Sequence, residues 1–303
     1  MKIVKVLLFL FLFWAKISSS QPAKISQAIF LFSFPGKGAS TIQLNDAFGL
    51  AVDLNGFIYV ADTENNRIIK FNQNGEKLKE IGGFGWETEQ FYTPYDVCAS
   101  SALDIFIADY NNHRLQRYDK DLNYISSLYS DSNWDKAFQF AYPKSVTVSI
   151  HGDLFILDGE NIRLLKLNSF GEPEVSFGDY AEGKGRLADP VQVTISSKDQ
   201  IFVSDRQNNN VLVFDYFGNY LTEIGNGFLN KPHGLFVSSS QWLFVADTGN
   251  KRVAVFLPDG RLIFSWSIID KFNGEFQYPV DVASFGKRVF VLDENRILAF
   301  ELK

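Results

Sequence analysis

Apolar residues in this chain fall in short runs that recur in sets of four, and glycine, asparagine and aspartate separate the runs. One phrase returns six times: a strand-like apolar run ending in aspartate, then a short polar turn. The copies are IYVAD to Asp62, IFIAD to Asp109, LFILD to Asp158, IFVSD to Asp205, LFVAD to Asp247 and VFVLD to Asp293, spaced by 47, 49, 47, 42 and 46 residues. A period in this range means one supersecondary unit per repeat, stacked on its neighbours to bury a shared core.

Repeat one predicts four strands, Gly49 to Val52, Ile58 to Ala61, Ile68 to Phe71 and Lys77 to Ile81. Asn55-Gly56, Glu64-Asn65-Asn66 and Asn74-Gly75 fall between them and supply the positive φ that tight turns need. Pro94, Pro143, Pro190, Pro232 and Pro279 open the other five repeats, and Ala47 holds that place in the first. Proline is tolerated at the first residue of a strand. The last repeat ends after three strands, at Ile297 to Leu302. Its fourth is available at the other end, where Ala28 to Phe34 followed by Pro35-Gly36-Lys37-Gly38 reads like a repeat's closing strand and glycine exit. The expected fold is all-β: a six-bladed β-propeller of four-stranded antiparallel blades, closed by the N-terminal strand completing blade six. Closure removes the open edge that templates aggregation.

Residues 1–20 read differently. Lys2 and Lys5 precede an apolar run from Val6 to Ala15, and Ser18 to Ser20 follow, the pattern of a secretory signal peptide. The run is shorter than the ~20 residues of a membrane span. The expected organisation is a signal peptide over 1–20 and one propeller over 21–303, secreted or luminal, monomeric and without a membrane span after cleavage. Loss of Lys2, Lys5 and Lys16 leaves 26 basic against 35 acidic residues, a net charge of −9. Such an acidic surface disfavours nucleic acid. The single Cys98 sits in an apolar innermost strand and reads as a buried, inert thiol.

The order of proline, apolar strand, turn, strand ending in Ala-Asp, then Thr/Tyr-x-Asn-x-Arg resembles the NHL repeat. Asp62 to Arg67, Asp109 to Arg114 and Asp247 to Arg252 follow it closely. Asp158 to Arg163 and Asp293 to Arg296 are shortened or degraded copies, and repeat four puts Asn210, five residues after Asp205, where arginine is expected. A residue repeated once per blade is more economically a turn and blade-locking device than a ligand contact. Each aspartate is expected to accept N–H bonds of its following turn, and each arginine to brace carbonyls or the aspartate of a nearby blade.

In a four-stranded meander the loop after strand two and the loop into the next blade share one face. That rim is the expected binding site, because discriminating residues must be those that differ between repeats. The candidates are Trp86, Tyr92, Tyr95, Tyr110, Trp134, Tyr142, Lys144, Arg206 and His233, expected to form one patch, aromatic at one end and cationic at the other. Tyrosine, tryptophan and arginine are common interface anchors. The partner implied is a protein or peptide segment combining apolar and acidic side chains.

Peptidyl-hydroxyglycine amidating lyases are similar in fold class and in being secreted, and that resemblance implies a zinc held by three histidines, each just after a repeat proline. Here only His233 occupies such a place, and Phe48, Tyr95, Lys144, Val191 and Val280 fill the rest. A catalytic zinc needs three protein ligands and an open position, so no cofactor or metal is expected and a divergent metal-dependent lyase is the alternative reading. Asp96 and Asp281, each two residues after its proline, point to a carboxylate pair in the channel, either solvated or holding a hard cation with Gln192. With no serine or cysteine nucleophile set in evidence, the expected role is non-enzymatic binding.

Overall fold

In the computed structural model, which describes residues 27–35, 42–100, 103–270 and 274–303, six four-stranded antiparallel sheets form the blades of a ring. The signal segment 1–20 and the glycine exit 36–38 lie outside the described residues. Blade one runs Gly49–Val52, Ile58–Asp62, Arg67–Phe71 and Lys77–Gly82, within a residue of the sequence expectation at each boundary. The innermost strands of blades two to six are Pro94–Cys98, Pro143–Val148, Pro190–Ile195, Pro232–Val237 and Pro279–Phe285. Each opening proline faces the aspartate that ends its neighbouring strand, as Pro94 faces Asp109. A small hairpin, Ile268–Asp270 with Gly274–Glu275, stands between blades five and six.

Blade six takes Ala28–Phe34 as its outer strand, paired antiparallel with Arg296–Leu302 from Ala28↔Leu302 to Phe34↔Ile297. Phe34 is buried, its ring 5.3 Å from Phe71 of blade one and 6.4 Å from Phe290 of blade six. The first strand therefore seals both the sheet and the packing against the next blade.

The core is a set of clusters lying between adjacent blades, because both faces of each inner sheet meet a neighbour. The second and third strands are consequently buried almost throughout rather than alternating. Phe71, Tyr118, Phe214, Phe256 and Phe300 fill these seams. Cys98 is buried, and burial pushes its thiol pKa up, which suits an unreactive side chain. Among the described residues, no helix is long and apolar enough to cross a membrane.

Candidate binding site at the mouth of the channel

Because each inner strand starts at its proline, or beside Ala47 in blade one, the residue that follows stands where the channel opens. In blades one, two and five these residues stack. The Phe48 and Tyr95 rings lie 4.8 Å apart and nearly parallel, and Phe48 lies 5.6 Å over His233 on its other side. From Tyr95 the contacts continue outward to Tyr110 at 5.5 Å, Tyr142 at 5.2 Å and His113 at 4.1 Å. The result is a half-buried aromatic arc from blade five through blades one and two to three. A second group lies farther out, where Phe84 meets Trp86 at 6.1 Å and Tyr92 at 5.1 Å; all three are exposed.

The cations gather around Asp189. Arg206 donates Nε to Asp189 Oδ2 at 2.9 Å, while Lys144 Nζ lies 3.4 Å from Oδ1 and donates to the Pro190 carbonyl at 3.2 Å. The expected cationic end is thus partly neutralised by an acid that sequence reasoning passed over. A pocket of about 560 Å³ opens beside these groups, lined by Arg206, Lys231, His233, Lys251 and Tyr278.

Two candidates differ from expectation. His233 is buried rather than displayed, covered by Phe48, and its Nε2 has no hydrogen-bond partner. Burial, together with the Arg206 charge, pushes its pKa down to about 3, so the ring is neutral. Trp134 packs with Phe138 and Leu128 against the seam between blades two and three. Burial raises the Tyr95 phenol to about 12 and also raises Tyr110, so both remain neutral donors. Phe48, Phe84, Asp189 and Tyr278 belong to the site but were not singled out. The position after the repeat proline already pointed to Phe48; nothing in the local pattern pointed to Asp189.

Below the mouth the channel is closed by side chains. Gln192 donates Nε2 to Asp96 Oδ1 at 3.2 Å and to Asp281 Oδ2 at 3.0 Å, and its Oε1 accepts the Leu235 N–H. Asp281 also accepts the N–H groups of Leu50 and Val282, both at 2.7 Å, and Asp96 accepts Ser145 Oγ at 2.5 Å. Leu50, Asp96, Ser145, Gln192, Leu235 and Asp281 come one from each blade. The carboxylates are therefore buried and bridged by an amide, not solvated as one expectation had it. Burial raises Asp96 to about 6, and burial plus the charge of Asp96 raises Asp281 well above the usual carboxylate range. Among the described residues, no three His, Cys, Asp or Glu side chains group in a metal-holding arrangement. His113 accepts the Tyr142 N–H and His151 faces Asp199, so neither reaches His233.

The repeated aspartates are all fully buried. In three blades their backbone donors lie upstream rather than in the following turn: Asp62 accepts Asn45 N–H, Asp109 accepts Tyr92 N–H and Asp247 accepts Asn230 N–H, while the turn contributes the side-chain amides of Asn65, Asn112 and Asn250. In blades three and four, Asp158 and Asp205 also accept N–H groups of the following turn. Each arginine pairs with the aspartate of its own blade, not a neighbour's: Arg67–Asp62 at 2.6 Å, Arg114–Asp109 at 2.8 Å, Arg163–Asp158 at 3.2 Å, Arg252–Asp247 at 2.6 Å and Arg296–Asp293 at 3.0 Å.

Residues 44–71 and 91–118, the first three strands of blades one and two, match the NHL repeat. NHL repeat-containing protein 3 of Mus musculus is 29% identical over 147 residues, 48% of this chain and 41% of that protein. Its Homo sapiens counterpart is 30% identical over 139 residues, 44% of this chain and 39% of that protein. The matched stretch thus spans about two fifths of these curated relatives. Among solved structures, a streptogramin B lyase superposes with a TM-score of 0.62 at 16% identity, covering 91% of this chain and 97% of that one. At that identity the likeness concerns the fold.

Proposed function

The chain is an NHL-repeat β-propeller, and we propose that it acts as a non-enzymatic binding module whose channel mouth takes a protein or peptide segment. The observation that carries this reading is the aromatic arc from Phe48 to Tyr142, set beside Arg206 and Lys144 and flanked by exposed Phe84, Trp86 and Tyr92. Large rings held by packing give contact area at small entropic cost, and a polar rim of cations selects acidic neighbours. The ligand class is a segment with apolar side chains for the arc and a carboxylate that competes with Asp189 for Arg206. The repeated Asp–Arg pairs belong, in this proposal, to the scaffold. Secretion is part of it too, resting on residues 1–20.

Affinity capture from an extracellular fluid with wild type and with Tyr95→Ala/Lys144→Glu/Arg206→Glu tests the reading. Partners retained by wild type and lost by the folded variant support it; identical sets place the site elsewhere.

One observation favours a second reading, a lyase-type reaction: His233 is neutral and carries an unpartnered Nε2 next to the pocket. Stoichiometric metal in the purified protein, lost in His233→Ala, would favour that alternative over the binding module.

A further inference from the structure

Blade four keeps the seat of the repeat arginine but not the arginine. Asn210 pairs with Asp205 in the same register as Arg67 with Asp62, Arg114 with Asp109, Arg163 with Asp158 and Arg252 with Asp247. In blade one the guanidinium has three kinds of partner: Asp62, the Gln43 carbonyl 24 residues back at 2.8 Å, and Glu80, 13 residues on, at 3.2 Å. The carbonyl 24 residues back recurs as partner for Arg114, Arg163 and Arg252, in Gln90, Gln139 and Phe228. Counting the same intervals from Asn210 gives Arg186 and Glu223, and both line a cavity of about 500 Å³ with Asn208, Asn210 and Lys184.

Two acceptors in this cavity, the Asn210 Oδ1 and the Arg186 carbonyl, are under-used. Asn210 is 5% exposed, donates Nδ2 to Glu223 at 2.8 Å and leaves its buried Oδ1 without a partner. The Arg186 carbonyl receives one long contact, 3.5 Å from Asn208 Nδ2. Asp205 is fully buried and, among the described residues, is the repeat aspartate without an ion pair; its donors are neutral, the N–H groups of Ala188, Asp189, Gln207 and Asn208 and the Asn208 amide, with the Ala188 N–H at 2.6 Å on the oxygen that the arginine Nε approaches in other blades. The guanidinium of Arg186 does not fill the space, since it lies 4.1 Å over the Tyr180 ring. A buried acceptor left unmade and a buried carboxylate without a counter-charge both favour a cationic donor.

We propose that this cavity is a docking seat for an arginine side chain of a partner protein. The guest guanidinium donates to Asn210 Oδ1, the Arg186 carbonyl and Glu223, and Asp205 supplies charge behind them. Planar, forked donors suit three acceptors spread in this way; a lysine ammonium is a compact point charge and fits less well. The seat opens on the same face as the channel mouth but shares none of the aromatic residues, so it does not rest on the function proposed there.

The test is calorimetric titration with N-acetyl-L-arginine methylamide against its lysine counterpart. Wild type is expected to bind the arginine probe with a Kd on the order of 1 mM and the lysine probe roughly tenfold more weakly. Asn210→Arg, which returns an internal guanidinium, should abolish arginine binding and raise the melting midpoint by about 2–4 °C. Glu223→Gln, at an exposed side chain, should weaken arginine binding with the fold intact, and Tyr95→Ala should leave it unchanged. No arginine binding, equal affinity for both probes, or undiminished binding in Asn210→Arg would overturn the proposal.

Discussion

Asp96 of blade two and Asp281 of blade six are joined across the channel by the amide of Gln192, at 3.2 and 3.0 Å. Two acids are thereby buried with neutral donors and no cation, which is why their pKa values rise rather than fall.

A raised carboxylate pKa stabilises the fold below the unfolded value and loses that contribution as pH rises through the folded value. For Asp96 the window is about pH 4 to 6. His233, lowered from 6.5 to about 3 by burial, works oppositely: the unfolded chain takes up the proton first, so stability falls as pH drops below 6.5. Urea unfolding at pH 5.0 and 7.5 should separate them. Relative to wild type, Asp96→Asn should gain about 1–2 kcal/mol between pH 5.0 and 7.5, and His233→Gln should lose a similar amount. Shifts of the same sign would show that the burial of one group is misassigned.

Ring closure is tested at the first strand. Phe34→Ala should cost about 3–5 kcal/mol, because the ring fills the seam between blades six and one. Deletion of residues 25–35 should abolish cooperative unfolding and cause aggregation through the uncovered edge of Arg296–Leu302. A monomeric truncated protein with an unchanged midpoint would contradict closure.

The Asp–Arg pairs should not be equivalent. Arg114 is 2% exposed and holds Asp109 together with the Trp86, Glu87 and Gln90 carbonyls. Arg114→Ala should therefore cost about 3–5 kcal/mol by leaving a buried carboxylate unpaired. Arg296, with a third of its side chain exposed and one contact to Asp293, should cost about 1 kcal/mol or less. Denaturant midpoints of the two variants check this ordering.

In blades one, two and five the residue before the repeat arginine turns the chain through the left-handed region: Asn66, His113 and Lys251 have φ of 54°, 51° and 51°. Blade three puts Ile162 there at φ 53°, where a β-branched side chain is strained. Ile162→Asn should stabilise by about 1 kcal/mol, seen as a rise of about 2–4 °C in the melting midpoint. A lower midpoint would mean that the isoleucine contributes packing that outweighs its backbone cost.

Blade boundaries and the closing strand were legible because each depends on local spacing, from Asn55-Gly56 in a turn to Pro94 at a strand start. The channel was less so. Which inner-strand side chain crosses the axis depends on ring geometry, so Gln192 was visible as a possible neighbour of Asp96 and Asp281 but its amide bridge was not. His233 read as a rim residue from its place after the repeat proline and Trp134 from its entry loop, yet Phe48 covers the first and the seam between blades two and three takes in the second. Asp189 was invisible for the same reason: its partners Lys144 and Arg206 lie on different blades and meet only in the closed ring.

The central claim, that the channel mouth is the binding face, is tested most directly by site-specific photocrosslinking in the extracellular fluid. A photoreactive phenylalanine analogue replaces exposed Tyr92 or Trp86 on that face, or exposed Phe170 in a turn on the opposite face. Discrete protein adducts from positions 86 and 92 and none from 170 are predicted. Adducts from position 170 alone would contradict the assignment.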